Sequence, residues 1–372
     1  MRKRVLITGG AGFIGSHVTD LLLASGYSVR ILDCLTSQVH GSSGNAPNYL
    51  NRDAELIVGD VRDANVVARA LEGIDAVLHL AAFVGVGQSM YDMVSYIQVN
   101  ECGTAVLLEA LAKQPVQRLV VASSMSIYGE GAAVDVNGLP VSPPERSLEQ
   151  LRRGAWDLED ETGERLIPIA TPESKQPSLS SVYALNKYAQ ERLCLIAGRA
   201  YNIPAIALRF FNVFGTRQAL SNPYTGVLAI FAARLLNDRP PLIFEDGNQQ
   251  RDFVHVSDVA RACLLALESE RGIGEAFNVG SGQNRTILSI AEDLARVMNR
   301  PNVRPHVIGK YRAGDIRHCF ADISHCRNEL GFEPRTKFDE GLAELAEWLS
   351  GQVAEDKVEH AASELERRGL VA

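Results

Sequence analysis

The stretch VLITGGAGFIGS, Val5 to Ser16, decides how this chain is read. Val5 to Thr8 are mostly apolar and largely β-branched, the composition of a buried strand. Gly9, Gly12 and Gly15 follow, and an amphipathic run from Phe13 to Ser25 reads as a helix. A strand that turns through glycines into a helix can cradle a dinucleotide. Gly9 allows the tight turn, Gly12 admits a pyrophosphate against bare backbone, and Gly15 lets the helix pack on the strand. The helix N-terminus, at Phe13 and Ile14, offers free N–H groups and a partial positive charge to phosphates.

Outward from this stretch, Val29–Leu32, Leu56–Val58, Ala76–Leu80, Arg118–Ala122 and Ile206–Phe210 read as further strands. Helical runs alternate with them, which predicts an α/β fold with a doubly wound parallel sheet and ligands at its C-terminal edge. Asp33 closes the second strand about twenty residues past the glycines, where a carboxylate can accept hydrogen bonds from ribose hydroxyls. It would repel a 2′-phosphate, so the expected cofactor is NAD rather than NADP. The 372 residues are 46% hydrophobic, enough for one large α/β unit or two fused domains. A net charge of −8 argues against nucleic acid as a partner. No apolar run is long enough to span a bilayer, and the basic-apolar start runs straight into the glycine turn, unlike a signal peptide. Six cysteines are scattered with no C-x-x-C pair. This predicts reduced thiols, no metal and a cytoplasmic protein.

Val182 to Tyr201 reads as a helix carrying Tyr183 and Lys187. Positions i and i+4 share a face, and an ammonium beside a phenol would favour the phenolate. Tyr183 is then a candidate base near neutral pH, with Lys187 also placed to hold a ribose.

The G-x-x-G-x-x-G spacing of TGGAGFIG, with SSMSIYG at Ser123–Gly129 and the Tyr183/Lys187 pair, resembles the extended short-chain dehydrogenase/reductase family. That family comprises sugar-nucleotide epimerases and dehydratases. The resemblance spans Met1 to Leu349 apart from one insertion. It implies a Rossmann-type NAD domain over 1–209, interrupted by an insertion at 131–177. A smaller substrate domain at 210–350 would interleave with the first, and a charged tail would follow at 351–372. It implies that Ser124, Tyr183 and Lys187 are catalytic. Around the cofactor it places Asp60 and Val61 of GDVRD by the adenine, then Leu80, Ala81, Ala82, Asn100, Ser123 and Phe210. Around the substrate it places Val84, Gly85 and Gln88 of VGVGQSM, Ser124, Ser126, Asn212, Val227 of SNPYTGVLAIF, and Asp315. Arg251 and Arg312 would bind the diphosphate, where a guanidinium fork suits phosphate oxygens. Relatives also imply a homodimer through a four-helix interface that includes the helical run from Val99.

Within the family, 4,6-dehydratases place an acid pair after the catalytic Ser; Met125 and Ser126 stand there and cannot do general acid–base work. The pattern looks closest to nucleoside-diphosphate-sugar 4-epimerases. VGVGQSM, SSMSIYG and SNPYTGVLAIF together look most like bacterial dTDP-L-rhamnose 4-epimerases. A 4-ketosugar reductase would use the same residues with a released cofactor, and a dinucleotide-sensing protein would normally lose the Tyr/Lys pair. Neither the base nor the sugar is fixed by the residues, so a UDP-glucose or UDP-glucuronate 4-epimerase stays an alternative. The insertion, proline-rich and without cysteine, reads equally as a lid or partner surface and as a tolerated surface loop. The tail reads as a loosely packed charged helix.

Overall fold

The apolar strands read from the sequence join in one seven-stranded parallel sheet. Its order is Ala276–Val279, Ala205–Phe210, Arg118–Ser124, Ala76–His79, Arg4–Thr8, Ser28–Asp33, Glu55–Val58. The structure, a computed structural model, describes residues 2–41, 44–312 and 314–371; Met1, Ser42, Ser43, Ala313 and Ala372 lie outside the described residues. Strand side chains alternate between the two faces. Val5, Ile7, Ile31, Leu78 and Val120 enter one core; Leu6, Leu32, Val77, Leu119 and Val121 enter the other. The first core is closed by the helices Phe13–Ala24 and Val256–Glu268, through Val18, Leu22, Val259 and Cys263. The second is closed by Ala64–Ala70, Gly103–Lys113 and Val182–Ala200, through Val67, Leu107, Leu111 and Leu195. Helices on both faces leave only the sheet's ends open, which is why ligands collect at the strands' C-terminal edge.

The strands Asn212–Phe214, Gln250–His255, Asn284–Thr286 and His318–Cys319 pair into a smaller sheet beside that edge. The helices Val227–Leu236, Ile287–Val297 and Phe338–Leu349 share an apolar core there that includes Phe231, Leu294 and Leu345. The chain returns from this region to lay Ala276–Val279 into the main sheet, so the two parts are interleaved in sequence. Among the described residues no helix is long and apolar enough to cross a membrane.

Two segments differ from their reading. The helical run from Val99 begins as a π-helix, Ile97–Cys102, before the α-helix Gly103–Lys113; single π-turns cluster at functional positions. The tail is not loosely packed. It forms the helix Val358–Arg367, and Ala361, Leu365 and Val371 are buried. Its hydrophobic positions share one face, which the charged composition hides.

Candidate active site

The glycine turn tests whether a dinucleotide fits. Gly9 has φ +71°, and a Cβ there would lie 2.8 Å from the Ala81 nitrogen. At Gly15 a Cβ would lie 2.5 Å from the Gly9 carbonyl oxygen. These two are glycines because the protein packs on itself there. Gly12 is different: the nearest protein atom to its Cβ would be 3.4 Å away. What needs bare backbone at Gly12 lies outside the protein, as a pyrophosphate would. No side chain caps the helix that starts at Phe13, so its first-turn N–H groups, including that of Ile14, stay open. Asp33 is buried at the end of its strand; its Oδ2 accepts from Ala11 N–H at 3.0 Å and its Oδ1 from Leu35 N–H at 2.9 Å. The carboxylate is thereby fixed beside the turn, one strand over, where a ribose would lie. The residues fit NAD.

The floor of the edge is a chain of buried hydrogen bonds that no motif announces. Thr104 donates its hydroxyl proton to the Asn100 carbonyl oxygen at 2.5 Å. Its oxygen is then left to accept from Gln190 Nε2 at 2.9 Å and from His79 Nε2 at 2.8 Å. With its proton on Nε2, His79 accepts at Nδ1 from the Thr8 hydroxyl at 2.7 Å, and Thr8 Oγ1 accepts from Ala81 N–H at 3.3 Å. Burial pushes His79 down to about 3, so the ring is neutral. It is a packing histidine that holds the Leu80–Ala82 segment in place. Lys187 Nζ donates to Gln190 Oε1 at 2.7 Å, tying the lysine into the same chain. Asn100 spends its side chain on the Phe83 backbone, accepting at 2.7 Å and donating at 3.0 Å, and so holds the loop that leads to Val84 and Gly85. Ser123 donates to Glu191, which pairs with Arg209 in the interior at 2.7 Å. Asp60 lies further out, paired with Arg62 at 2.6 Å, while Val61 packs against Gly103.

Ser124 and Tyr183 line the same cavity at the end of this edge. Ser126 donates to Ser124 through both its N–H, at 3.2 Å, and its hydroxyl, at 2.9 Å, which leaves the Ser124 hydroxyl proton for another partner. Ser89, from the VGVGQSM loop, accepts from Tyr183 N–H at 3.0 Å and fixes the start of the helix. The sequence suggests that Lys187 lowers the Tyr183 pKa. The structure corrects this. Burial raises the phenol, the Ser124 hydrogen bond partly offsets it, and the lysine reaches Gln190 instead. Burial also lowers Lys187 itself to about 8. Gln190, three residues past Lys187, was missed, although its place on the lysine's helix face is a legible signal.

A cavity of about 400 Å³ opens from Tyr183 and Ser124 toward the smaller sheet. Val84, Gly85, Ser126, Phe210, Asn212 and Val227 border it, as do Arg251, Arg312 and Asp315. Asn212 Oδ1 is buried there with no hydrogen-bond partner. Gln88 does not line it; its amide exchanges hydrogen bonds with Gln38. Arg251 reaches the Gln250, Ile316 and Arg317 carbonyls, and Arg312 pairs with Asp315 at 2.8 Å while lying over the Phe244 ring. Cys319 is buried beside Thr171, away from the cavity. The insertion buttresses this end. Arg146 pairs with Glu245 at 2.8 Å and Glu130 at 3.2 Å, and donates to the Asp315 carbonyl at 3.0 Å.

The family model described as the NAD dependent epimerase/dehydratase family matches residues 5–147 and 162–280. A dTDP-L-rhamnose 4-epimerase from Burkholderia thailandensis is 35% identical over 94% of this chain and 96% of its own length. The solved structure of a UDP-glucose 4-epimerase with UDP-glucose from Thermotoga maritima is similar with a TM-score of 0.76, at 31% identity over 93% of this chain and 98% of that one. A UDP-glucose 4-epimerase from Thermus thermophilus in complex with NAD has a TM-score of 0.74, at 31% identity over 94% and 100% of the two chains.

Proposed function

This chain belongs to the NAD dependent epimerase/dehydratase family, and on that premise we propose that it inverts C4 of a nucleoside-diphosphate sugar, a dTDP-linked hexose such as dTDP-L-rhamnose. The observation that carries the reading is the meeting of Ser124 and Tyr183 in one cavity at the junction of the glycine-turn edge and the substrate end, with no titratable side chain at Met125 or Ser126. A dehydratase needs such a side chain to move a proton off carbon.

When bound, NAD supplies the hydride acceptor and donor that carry C4 through a ketone. Tyr183 takes the C4 hydroxyl proton directly or through Ser124, and returns it once C4 is inverted. Ser126 fixes the Ser124 rotamer so that the relay points at Tyr183. Lys187, held by Gln190, keeps a proton donor at the nicotinamide ribose. Arg251 and Arg312 anchor the diphosphate while the sugar turns, and Asn212 offers its free Oδ1 as an acceptor. A net redox change of zero lets the cofactor stay. Leu185 and Ile196 of the Val182–Ala200 helix, with Val94 before the π-turn and Ile97 at its start, stand 41–68% exposed. We infer that this apolar face joins a second copy of the chain.

Product analysis tests the reading. Incubated with dTDP- and UDP-hexoses, the protein should give the C4 epimer of one of them, and C4-deuterated substrate should give product that keeps its label. Loss of deuterium to water would mean proton abstraction beside a ketone and would end the proposal.

A further inference from the structure

The geometry points to the C-terminal helix Val358–Arg367 as the specificity wall of the sugar pocket, selecting a hexose whose C6 is apolar. The inference rests on the 4-epimerase reading and adds the substrate class. Ala361, Ala362 and Leu365 border the cavity together with Leu370. Leu365 meets the VGVGQSM loop, since a Cβ at Gly87 would lie 3.3 Å from its Cδ1. Val84 to Gly87 lead from the cofactor edge to Tyr183, so this is the end where the reacting carbon must sit.

The helix is built into the cleft rather than resting on its outside. Before it, Asp356 pairs with Arg234 and Arg239 at 3.4 and 3.2 Å, and Glu355 N–H donates to Ser221 at 3.0 Å. After it, Arg368 lies 4.4 Å over the Tyr91 ring, and Val371 bridges Arg312. Lys310 and Glu366 pair at 2.5 Å. These ties reach both banks of the cavity, the Gly87–Tyr91 loop and the Lys310–Arg312 segment.

The charge distribution then indicates what the wall accepts. The charged side chains bordering the cavity are Arg251, Arg312 and Asp315, all at the diphosphate end. Arg368, just past the wall, is paired with Glu364 and laid on Tyr91. Tyr224 faces the wall with its hydroxyl already bonded to Tyr91 at 2.6 Å. Turned to Ala361, Ala362 and Leu365, a sugar carboxylate would be desolvated without a cation, and a hydroxymethyl would lose water without a partner on the wall itself. A methyl group would gain by contact.

The probes are dTDP-6-deoxyglucose, dTDP-glucose and dTDP-glucuronate, which differ only at C6, each measured by turnover and by calorimetric binding to the NAD-loaded protein. Wild type should favour the deoxy sugar over the hydroxymethyl sugar by about 10-fold or more in kcat/KM, in the range that one apolar-pocket group supplies, and should reject the uronate further. Leu365→Ala should shrink the deoxy preference at least threefold, chiefly through KM. Ala362→Leu fills the same space and should depress the larger sugars more than the deoxy one. It also decides the matter if Leu365→Ala fails to fold. Unchanged preference in the folded variants, or a wild type that prefers the uronate, would overturn the inference. Absence of any epimerised product alongside C6-dependent binding would instead remove the 4-epimerase reading and leave the wall standing.

Discussion

The two halves of the site are made differently. The cofactor edge comes from strand ends held by one sheet, and its supports are neutral hydrogen bonds running from Asn100 and Gln190 through Thr104 and His79 to Thr8 and Ala81. The substrate end is gathered from segments as distant as Val84, Asn212, Arg312 and Leu365, and its supports are ion pairs such as Arg312–Asp315 and Arg146–Glu245. The difference teaches where binding has a cost. At the cofactor edge the supporting side chains are satisfied and fixed before anything binds, and only the first-turn N–H groups at Phe13 and Ile14 stay open. At the substrate end a diphosphate must draw Arg312 away from Asp315, or share it.

The largest effect is expected where the halves meet. Tyr183→Phe keeps the ring and removes the acid–base group, so turnover should fall by about 10²–10⁴-fold while the protein stays folded and NAD-bound. Near-normal turnover would break the comparison at its junction. Ser124→Ala should cost less, since Tyr183 can reach the sugar hydroxyl directly or through water.

Asp33→Ala tests the preformed half. A hydrogen bond to a charged group contributes about 1.5–3 kcal/mol, so NAD affinity should drop about 10–100-fold and its advantage over NADP should narrow in a direct titration. A wild type that binds NADP better would contradict the role of the carboxylate. Arg312→Ala tests the other half. The removed cation already has a partner in Asp315 and part of its charge in solvent, so the substrate KM should rise only about 10-fold, with NAD affinity unchanged. Equal losses in NAD and substrate binding would show that the halves are not independent.

The same contrast explains what was legible in the sequence. The glycine turn, Asp33 and the Tyr183/Lys187 pair are short-range patterns whose spacing follows from strand, turn and helix geometry, so they could be read directly, whereas Ser124 came from the family resemblance alone. Thr104 was not legible, because a buried polar residue is recognised only once its partner is known; Gln190 was overlooked although it shares the Lys187 helix face. The direction of the Gln88 amide was not legible, because loop direction is set by tertiary contacts, here with Gln38. The pairing of Lys187 with Gln190 rather than the phenol has the same origin. The tail was read as loose because its charge masks Ala361 and Leu365, two buried positions one helical turn apart.

The smallest effect isolates the neutral chain under the cofactor edge. His79 has both ring nitrogens used, Nε2 donating to Thr104 and Nδ1 accepting from Thr8. Protonating Nδ1 would remove that acceptor in a site with no carboxylate beside the ring, which is why burial holds the histidine at about 3. In the unfolded chain it titrates near 6.5. Between these values the unfolded state binds the extra proton, so His79 contributes a stability that is fully present above pH 6.5 and lost as pH falls toward 3. The loss is about 1.4 kcal/mol per pH unit, or about 2 kcal/mol between pH 6.5 and 5. His17 and His318, also lowered by burial, add to the wild-type slope. His79→Gln keeps a donor and an acceptor but cannot titrate. Urea denaturation at the two pH values should therefore show a smaller acid loss in the variant than in wild type, by about that 2 kcal/mol, even if its stability at neutral pH is lower. An unchanged acid loss would mean that the ring accepts a proton in the folded state, and that the support beneath Ala81 is charged rather than neutral.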